Sequence, residues 1–132
     1  MHNPICEHRR AERGQAVVEF AFILPLLLLL ILGITEMGRM IMRTNLLTQA
    51  AREGARAAAV GSDSSSCVTR VTNVLAAANV TPLAIDVIGP DADNMMQVSV
   101  TSNYQVLGSG VGWFNLPNTV TLSGTSLMRL EN

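Results

Sequence analysis

A long apolar run lies near the start of the chain. Between Arg13 and Glu36 there are twenty-two residues, and Glu19 is the only charged one among them. Twenty-two helical residues extend about 33 Å, which is enough to cross a hydrocarbon core of about 30 Å. The run therefore predicts a helix that crosses a membrane once, with Pro25 kinking it or relaxing one of its turns.

The helical pattern continues beyond this run into a segment that carries charges. Acidic and basic residues three positions apart are typical of a helix that leaves the membrane into water. The segment has two such pairs, Glu36 with Arg39 and Glu53 with Arg56. Gly61 and the Ser/Asp stretch at 62–66 then predict the end of this helix and the start of another.

Small residues form a stripe along the last part of the long helix. Ala50, Gly54 and Ala58 follow a small-x-x-x-small spacing, which lets a neighbouring element approach closely. The sequence leaves two interpretations open. In the first, the stripe packs under the chain's own C-terminal domain. In the second, it contacts another subunit. Both can hold if the two contacts lie at different heights of the helix.

The residues after Gly61 show short alternating patterns separated by turn residues. Apolar residues recur at helical spacing over 67–79 and at every second position over 83–87, 96–104 and 120–130. Gly124 predicts a bulge or bend in the last of these segments. Trp113 and Phe114, in a loop-like stretch, are interpreted as caps on the core, with a docking or membrane-surface patch as the alternative.

The predicted fold class is therefore α+β. It comprises a long N-terminal transmembrane helix, a short second helix and a small antiparallel sheet. The predicted domains are a basic cytoplasmic leader (1–14), the transmembrane and extended helix (15–61) and a small α+β domain (62–132).

Charge and cysteine placement give this arrangement an orientation. Arg9, Arg10 and Arg13 precede the apolar run, so the positive-inside rule puts the N-terminus in the cytoplasm and the C-terminal domain across the membrane. Cys6 and Cys67 then lie on opposite sides of the membrane, which argues against a disulfide between them. We expect Cys67 to be buried and inert.

Composition removes several classes of function. The net charge of −1 gives no attraction to nucleic acid. Both histidines, His2 and His8, lie in the expected leader, so the mature chain would lack the commonest general base and metal ligand. The Asp and Asn residues at 91–94 are typical of a turn rather than a calcium loop. We therefore expect no enzymatic activity, no cofactor or metal and no small-molecule substrate.

Glu19 is the residue that a membrane helix has to accommodate. A carboxylate in a membrane-length segment costs a few kcal/mol, so a nearby positive charge is expected. Cleavage after Gly14 would create one at the new amino group of Gln15, four residues before Glu19 and on the same helical face. A secretory signal peptide is cut after its apolar region, whereas this cut would leave the apolar helix on the mature protein.

These residues resemble a type IV prepilin processing site, with a basic leader, Gly14 at the cut, Glu19 at the fifth mature position and Phe20 at the sixth. A Gly-Ile-Thr-Glu-Met-Gly-Arg stretch at 33–39 and an Ala-Ala-Arg-Glu-Gly-Ala-Arg-Ala-Ala block at 50–58 follow. Together, residues 13–61 resemble the TadE-like family of tight-adherence (Flp-type) pilus assembly proteins, which implies a pilin-like fold.

The resemblance implies a structural role rather than a catalytic one. It suggests a minor pilin or pseudopilin in the bacterial inner membrane, cut by a prepilin peptidase, with a periplasmic C-terminal domain. Its partners would be other pilins or pilus assembly proteins, and Glu19 and Phe20 would act in assembly and charge pairing. The alternative is an uncleaved single-pass envelope protein whose periplasmic domain is a scaffold or binding module of the secretion machinery.

Overall fold

The structure is a computed structural model that describes residues 5–107 and 117–130, with side chains described from residue 14 onward. Trp113 and Phe114 lie outside the described residues, as does the side chain of Cys6. The elements in chain order are α1 (Ile5–Ala59), α2 (Ser64–Ala77), β1 (Ala84–Ile88), β2 (Met95–Gln105) and β3 (Thr119–Arg129). The α+β prediction, with its long first helix, short second helix and antiparallel sheet, is confirmed.

The chain divides into two compact units, residues 1–36 and residues 37–132. In the first unit, α1 continues through Pro25. Every residue from Gly14 to Thr35 is exposed. From Gly14 to Ala59, α1 contains a window of mean hydropathy 2.8 in which no residue is buried, and the helix is long and apolar enough to cross a membrane.

The second unit begins inside α1 rather than after it. Residues 37–59 belong to the same compact unit as α2 and the sheet. The domain boundary expected at residue 61 therefore falls within this unit. In the sequence it lies between α1 and α2, and the predicted division at residue 61 stays a prediction.

Two helix ends in this unit are closed by the same backbone motif. After α1, Ser62 N donates to Ala57 O at 3.1 Å and Gly61 N to Ala58 O at 3.0 Å, with Gly61 at a φ of +82°. This is the Schellman pattern, in which a residue with positive φ lets two amide groups turn back to the last carbonyls. The helix end predicted at Gly61 is thereby confirmed.

At the end of α2, Asn79 takes the place of glycine. Its φ is +53°, and Val80 N donates to Leu75 O at 3.0 Å. Val80 and Leu75 are both buried, which is the apolar contact that commonly accompanies this motif. The motif ends α2 and directs the chain toward β1.

The sheet has the order β1-β2-β3, and both pairings are antiparallel. Alternate side chains of β2 are buried, as the period of two predicted. They pack with α1 and α2 into one core, whose fully buried members include Leu47, Ala50, Ala51, Ala55, Val71, Leu75, Val98 and Val100. The opposite face of β3 is exposed and consists mainly of Thr and Ser.

Gly124 differs from the expectation. The pairing of β2 with β3 runs one for one through Gly124, which lies opposite Val100, so of the predicted bulge or bend the bulge is wrong. A Cβ at this position would lie 2.9 Å from Leu47 Cβ and closer still to the backbone of Leu47 and Thr48. Glycine is required because α1 approaches the sheet closely here.

Candidate functional site

The residues of the prepilin-like motif lie along one stretch of α1. Gln15 and Glu19 are four residues apart, which places their side chains on one face of the helix. The Gln15 Nε2 amide donates a hydrogen bond of 3.2 Å to Glu19 Oε1. Both side chains are exposed. A carboxylate can accept several hydrogen bonds, so in a membrane this single bond would satisfy only part of that capacity.

Gly14 precedes this pair and lies in open surroundings. A Cβ built on Gly14 meets nothing within 4 Å, so packing does not explain the glycine. Glycine destabilises a helix interior by about 1 kcal/mol relative to alanine. The glycine therefore weakens α1 locally, at the peptide bond that joins Gly14 to Gln15.

Phe20 belongs to a continuous exposed apolar surface. Its side chain is 60% exposed and Phe22 is 79% exposed, and the large apolar side chains through Ile34 are exposed with them. Soluble monomers rarely present an apolar surface of this extent to water. The surface is therefore compatible with contact to lipid or to other helices.

The small-residue stripe faces the interior of its own chain. Ala50 and Ala58 are buried. A Cβ on Gly54 would lie 2.6 Å from Val71 Cγ2 and 3.3 Å from Val98 Cγ1. The structure thus places Ala50, Gly54 and Ala58 against α2 and the sheet, which is the first of the two arrangements that the sequence left open.

Cys67 lies at the start of α2 and is fully buried, as expected. Its Sγ is 3.8 Å from the carbonyl oxygen of Ser62. Burial, and to a smaller extent the Asp63 carboxylate, raise the pKa of the Cys67 thiol. The thiol is therefore a poor nucleophile at neutral pH.

The structure also forms a cluster that the sequence patterns do not indicate. Arg43 Cζ lies 5.5 Å and Arg39 Cζ 6.0 Å from the centroid of the Tyr104 ring. The sequence pattern predicts Tyr104 only as a member of the apolar face of its strand. The one signal for the cluster is the spacing of the two arginines, one helical turn apart.

Metal chemistry finds no support in the part of the chain that the structure describes. Among the side chains that the structure describes, in residues 14–107 and 117–130, no group of three or more His, Cys, Asp or Glu could hold a metal ion. Asp91 and Asn94 instead form a turn, in which Asn94 N donates to Asp91 O at 2.8 Å.

Comparison with known proteins gives one match. Residues 14–56 match the model of a family described as TadE-like protein, which confirms the resemblance seen in the sequence. The match begins at Gly14 and ends within the small-residue block of α1. Neither the curated proteins nor the solved structures include a match to this chain.

Proposed function

We propose that this chain, whose N-terminal segment is TadE-like, is a minor pilin or pseudopilin of a tight-adherence pilus. It is anchored in the inner membrane by the apolar part of α1, and its C-terminal domain lies in the periplasm. Its role is structural, with no enzymatic step. Its partners are a prepilin peptidase and the other pilins or assembly proteins of the pilus.

One observation carries this proposal. Gly14, Gln15 and Glu19 stand together at the start of the exposed apolar helix, inside the segment that matches the family. Cutting the chain after Gly14 would leave the helix on the mature protein with an ammonium group at Gln15. Because Gln15 already lies one turn from Glu19, the ammonium would lie near the carboxylate without any rearrangement of the helix.

The alternative function is an uncleaved single-pass envelope protein with a scaffold or binding domain. The hydrogen bond from the Gln15 side chain to Glu19 favours it to a limited extent, because it gives the carboxylate a partner without cleavage. A neutral amide does not compensate the charge, however, and a buried unpaired charge is far more costly than a paired one. The state of the N-terminus decides between the two functions.

Processing gives the first test. Expressed with its own prepilin peptidase, the wild-type protein should be recovered from the membrane with Gln15 as its first residue. Gly14→Val should remain uncut, because a branched side chain at the cut replaces a residue that is small and conformationally free. Intact mass and N-terminal sequencing measure both results.

Gly38→Val is the matched control for this test. It makes the same change on α1 at a glycine that also has nothing within 4 Å, so it should be cut normally. A wild-type protein that still begins at Met1 in the presence of the peptidase would contradict the pilin proposal and favour the uncleaved alternative.

Topology gives the second test. Thr125→Cys, on the exposed face of β3, should react with a membrane-impermeant thiol reagent in intact spheroplasts, because the arginines before Gln15 keep the N-terminus inside. The native Cys67 is fully buried and should give little background. In an uncut Gly14→Val protein, Cys6 should react only after permeabilisation. If the thiol introduced on β3 also reacted only after permeabilisation, the proposed orientation would be refuted.

A further inference from the structure

Arg39 and Arg43 of α1 converge on one aromatic ring of the sheet. Their distances to the Tyr104 centroid, 6.0 and 5.5 Å, are within the range in which a cation is attracted to the face of a ring. Tyr104 is only 2% exposed, so the core holds the ring in place. Both guanidinium groups therefore lie near one fixed ring.

The ring lies in the wall of a large open cavity in the second unit. The cavity has a volume of about 1010 Å³, and Arg39 and Arg43 are the only charged residues that line it among those the structure describes. Polar side chains that can donate hydrogen bonds contribute most of the remaining described lining: Thr81, Asn103, Gln105, Asn118 and Thr119, with Val106 and Leu107 as its apolar members. The described lining is thus cationic and largely polar.

Two positive charges one helical turn apart repel each other. The Tyr104 ring attracts both cations but carries no net charge that would neutralise them. A guanidinium group binds two oxygens of a phosphate through bidentate hydrogen bonds. The chemistry that fits the site best is therefore a phosphate or phosphodiester anion.

The place of the arginines in the chain identifies the source of this anion. Arg39 comes five residues after Ile34, where the apolar run ends, so few residues separate it from the hydrocarbon layer. Long side chains on a helix point back toward its N-terminus, which here is the direction of the membrane. Phospholipid headgroups occupy this level, a few ångströms outside the hydrocarbon core.

We propose that Arg39, Arg43 and Tyr104 form a binding site for the phosphate of an anionic phospholipid headgroup. The site rests on the proposed function in one respect, namely that the apolar part of α1 crosses a membrane. A bound headgroup neutralises the arginine pair and holds this part of α1 at the membrane surface. This placement matters for a subunit that meets its neighbours at the membrane surface.

The test uses the full chain in nanodiscs that contain equal amounts of phosphatidylglycerol and phosphatidylcholine. Native mass spectrometry of the released protein should show preferential retention of phosphatidylglycerol. Arg39→Gln with Arg43→Gln should lower this preference at least about tenfold, because both cations near the anionic surface are lost. Arg39→Lys with Arg43→Lys should give an intermediate preference, because it keeps the charge and loses the planar fork.

Arg52→Gln with Arg56→Gln is the matched control. These exposed arginines have the same spacing on the same helix and do not line the cavity, so the lipid preference should stay unchanged. Circular dichroism of each variant checks that the fold is retained. Equal loss of preference in both double variants would overturn the site, as would retention of wild-type preference in the Arg39/Arg43 double variant.

Two further outcomes separate the possible failures. Inorganic phosphate should not displace the lipid at equal concentration, and displacement would mean that the site binds free phosphate instead. Insertion into phosphatidylcholine vesicles, measured by flotation, tests the membrane helix by itself. A chain that inserts but shows no preference for phosphatidylglycerol refutes only the headgroup site, whereas a chain that fails to insert refutes the proposed function as well.

Discussion

Glu19→Ala is expected to abolish surface pili while the membrane level of the protein stays at or above that of the wild type. Removing a carboxylate from the apolar segment makes insertion more favourable, by about 3 kcal/mol at most on translocon-based scales because Glu19 lies near the start of the segment. Assembly should nonetheless fail, because the ammonium group of the cleaved Gln15 loses its partner. Resemblance to pilins assigns this carboxylate the alignment of an incoming subunit with its neighbour. Complementation of a deletion strain, with pili counted and membrane protein quantified, measures both effects.

Two companion variants make the result specific. Glu53→Ala removes an exposed carboxylate from the same helix outside the apolar segment and should leave piliation normal. Glu19→Gln keeps the size and the hydrogen-bonding capacity but not the charge, and should fail like Glu19→Ala. Normal piliation with Glu19→Ala would exclude an assembly role for this carboxylate. If only Glu19→Gln gave normal piliation, the residue would act through hydrogen bonding rather than through charge pairing.

Gly124→Ala is expected to destabilise the second unit by about 2–3 kcal/mol, which corresponds to a fall of roughly 10–20 °C in Tm for a domain of this size. The added methyl group would meet the backbone of Leu47 and Thr48, and backbone atoms cannot move aside as a side chain can. The helix would therefore have to separate from the sheet and loosen the core around Leu47 and Val100. Thermal unfolding of the full chain in detergent, followed by circular dichroism in the sheet region, gives the measurement.

Gly38→Ala provides a control of opposite sign. Gly38 is also in the second unit, but it lies in α1 with nothing within 4 Å. Alanine there should stabilise the helix by about 0.5–1 kcal/mol, because glycine loses more backbone entropy on folding. A Tm for Gly124→Ala within a few degrees of the wild type would show that the helix does not approach the sheet as closely as described.

Gly54→Ala should be milder than Gly124→Ala, although its new Cβ would also be crowded. The contacts at Gly54 are the methyl groups of Val71 and Val98, which can shift by small side-chain movements. The comparison separates two uses of glycine in this core. Gly54 makes room for neighbouring side chains, and Gly124 makes room for a neighbouring backbone.

The sequence by itself determined the features that depend on local patterns. The apolar length of the run predicted a helix long and apolar enough to cross a membrane, which the structure has. The periods of 3.6 and 2 predicted α2 and the three strands close to their observed bounds. The four-residue spacing of Gln15 and Glu19, directly after Gly14, was enough to place both side chains on one helical face. These properties could be read from the chain because each arises among residues within one or two turns, or within one strand.

Only the tertiary structure decided which surfaces meet. The stripe of Ala50, Gly54 and Ala58 was compatible with two partners, and the fold places it against its own sheet. Gly124 was compatible with a bulge, and the approach of α1 gave the actual reason for the glycine. The convergence of Arg39 and Arg43 on Tyr104 joins residues far apart in the chain. No local period encodes such contacts, because they follow from the height and rotation at which the helix packs on the sheet.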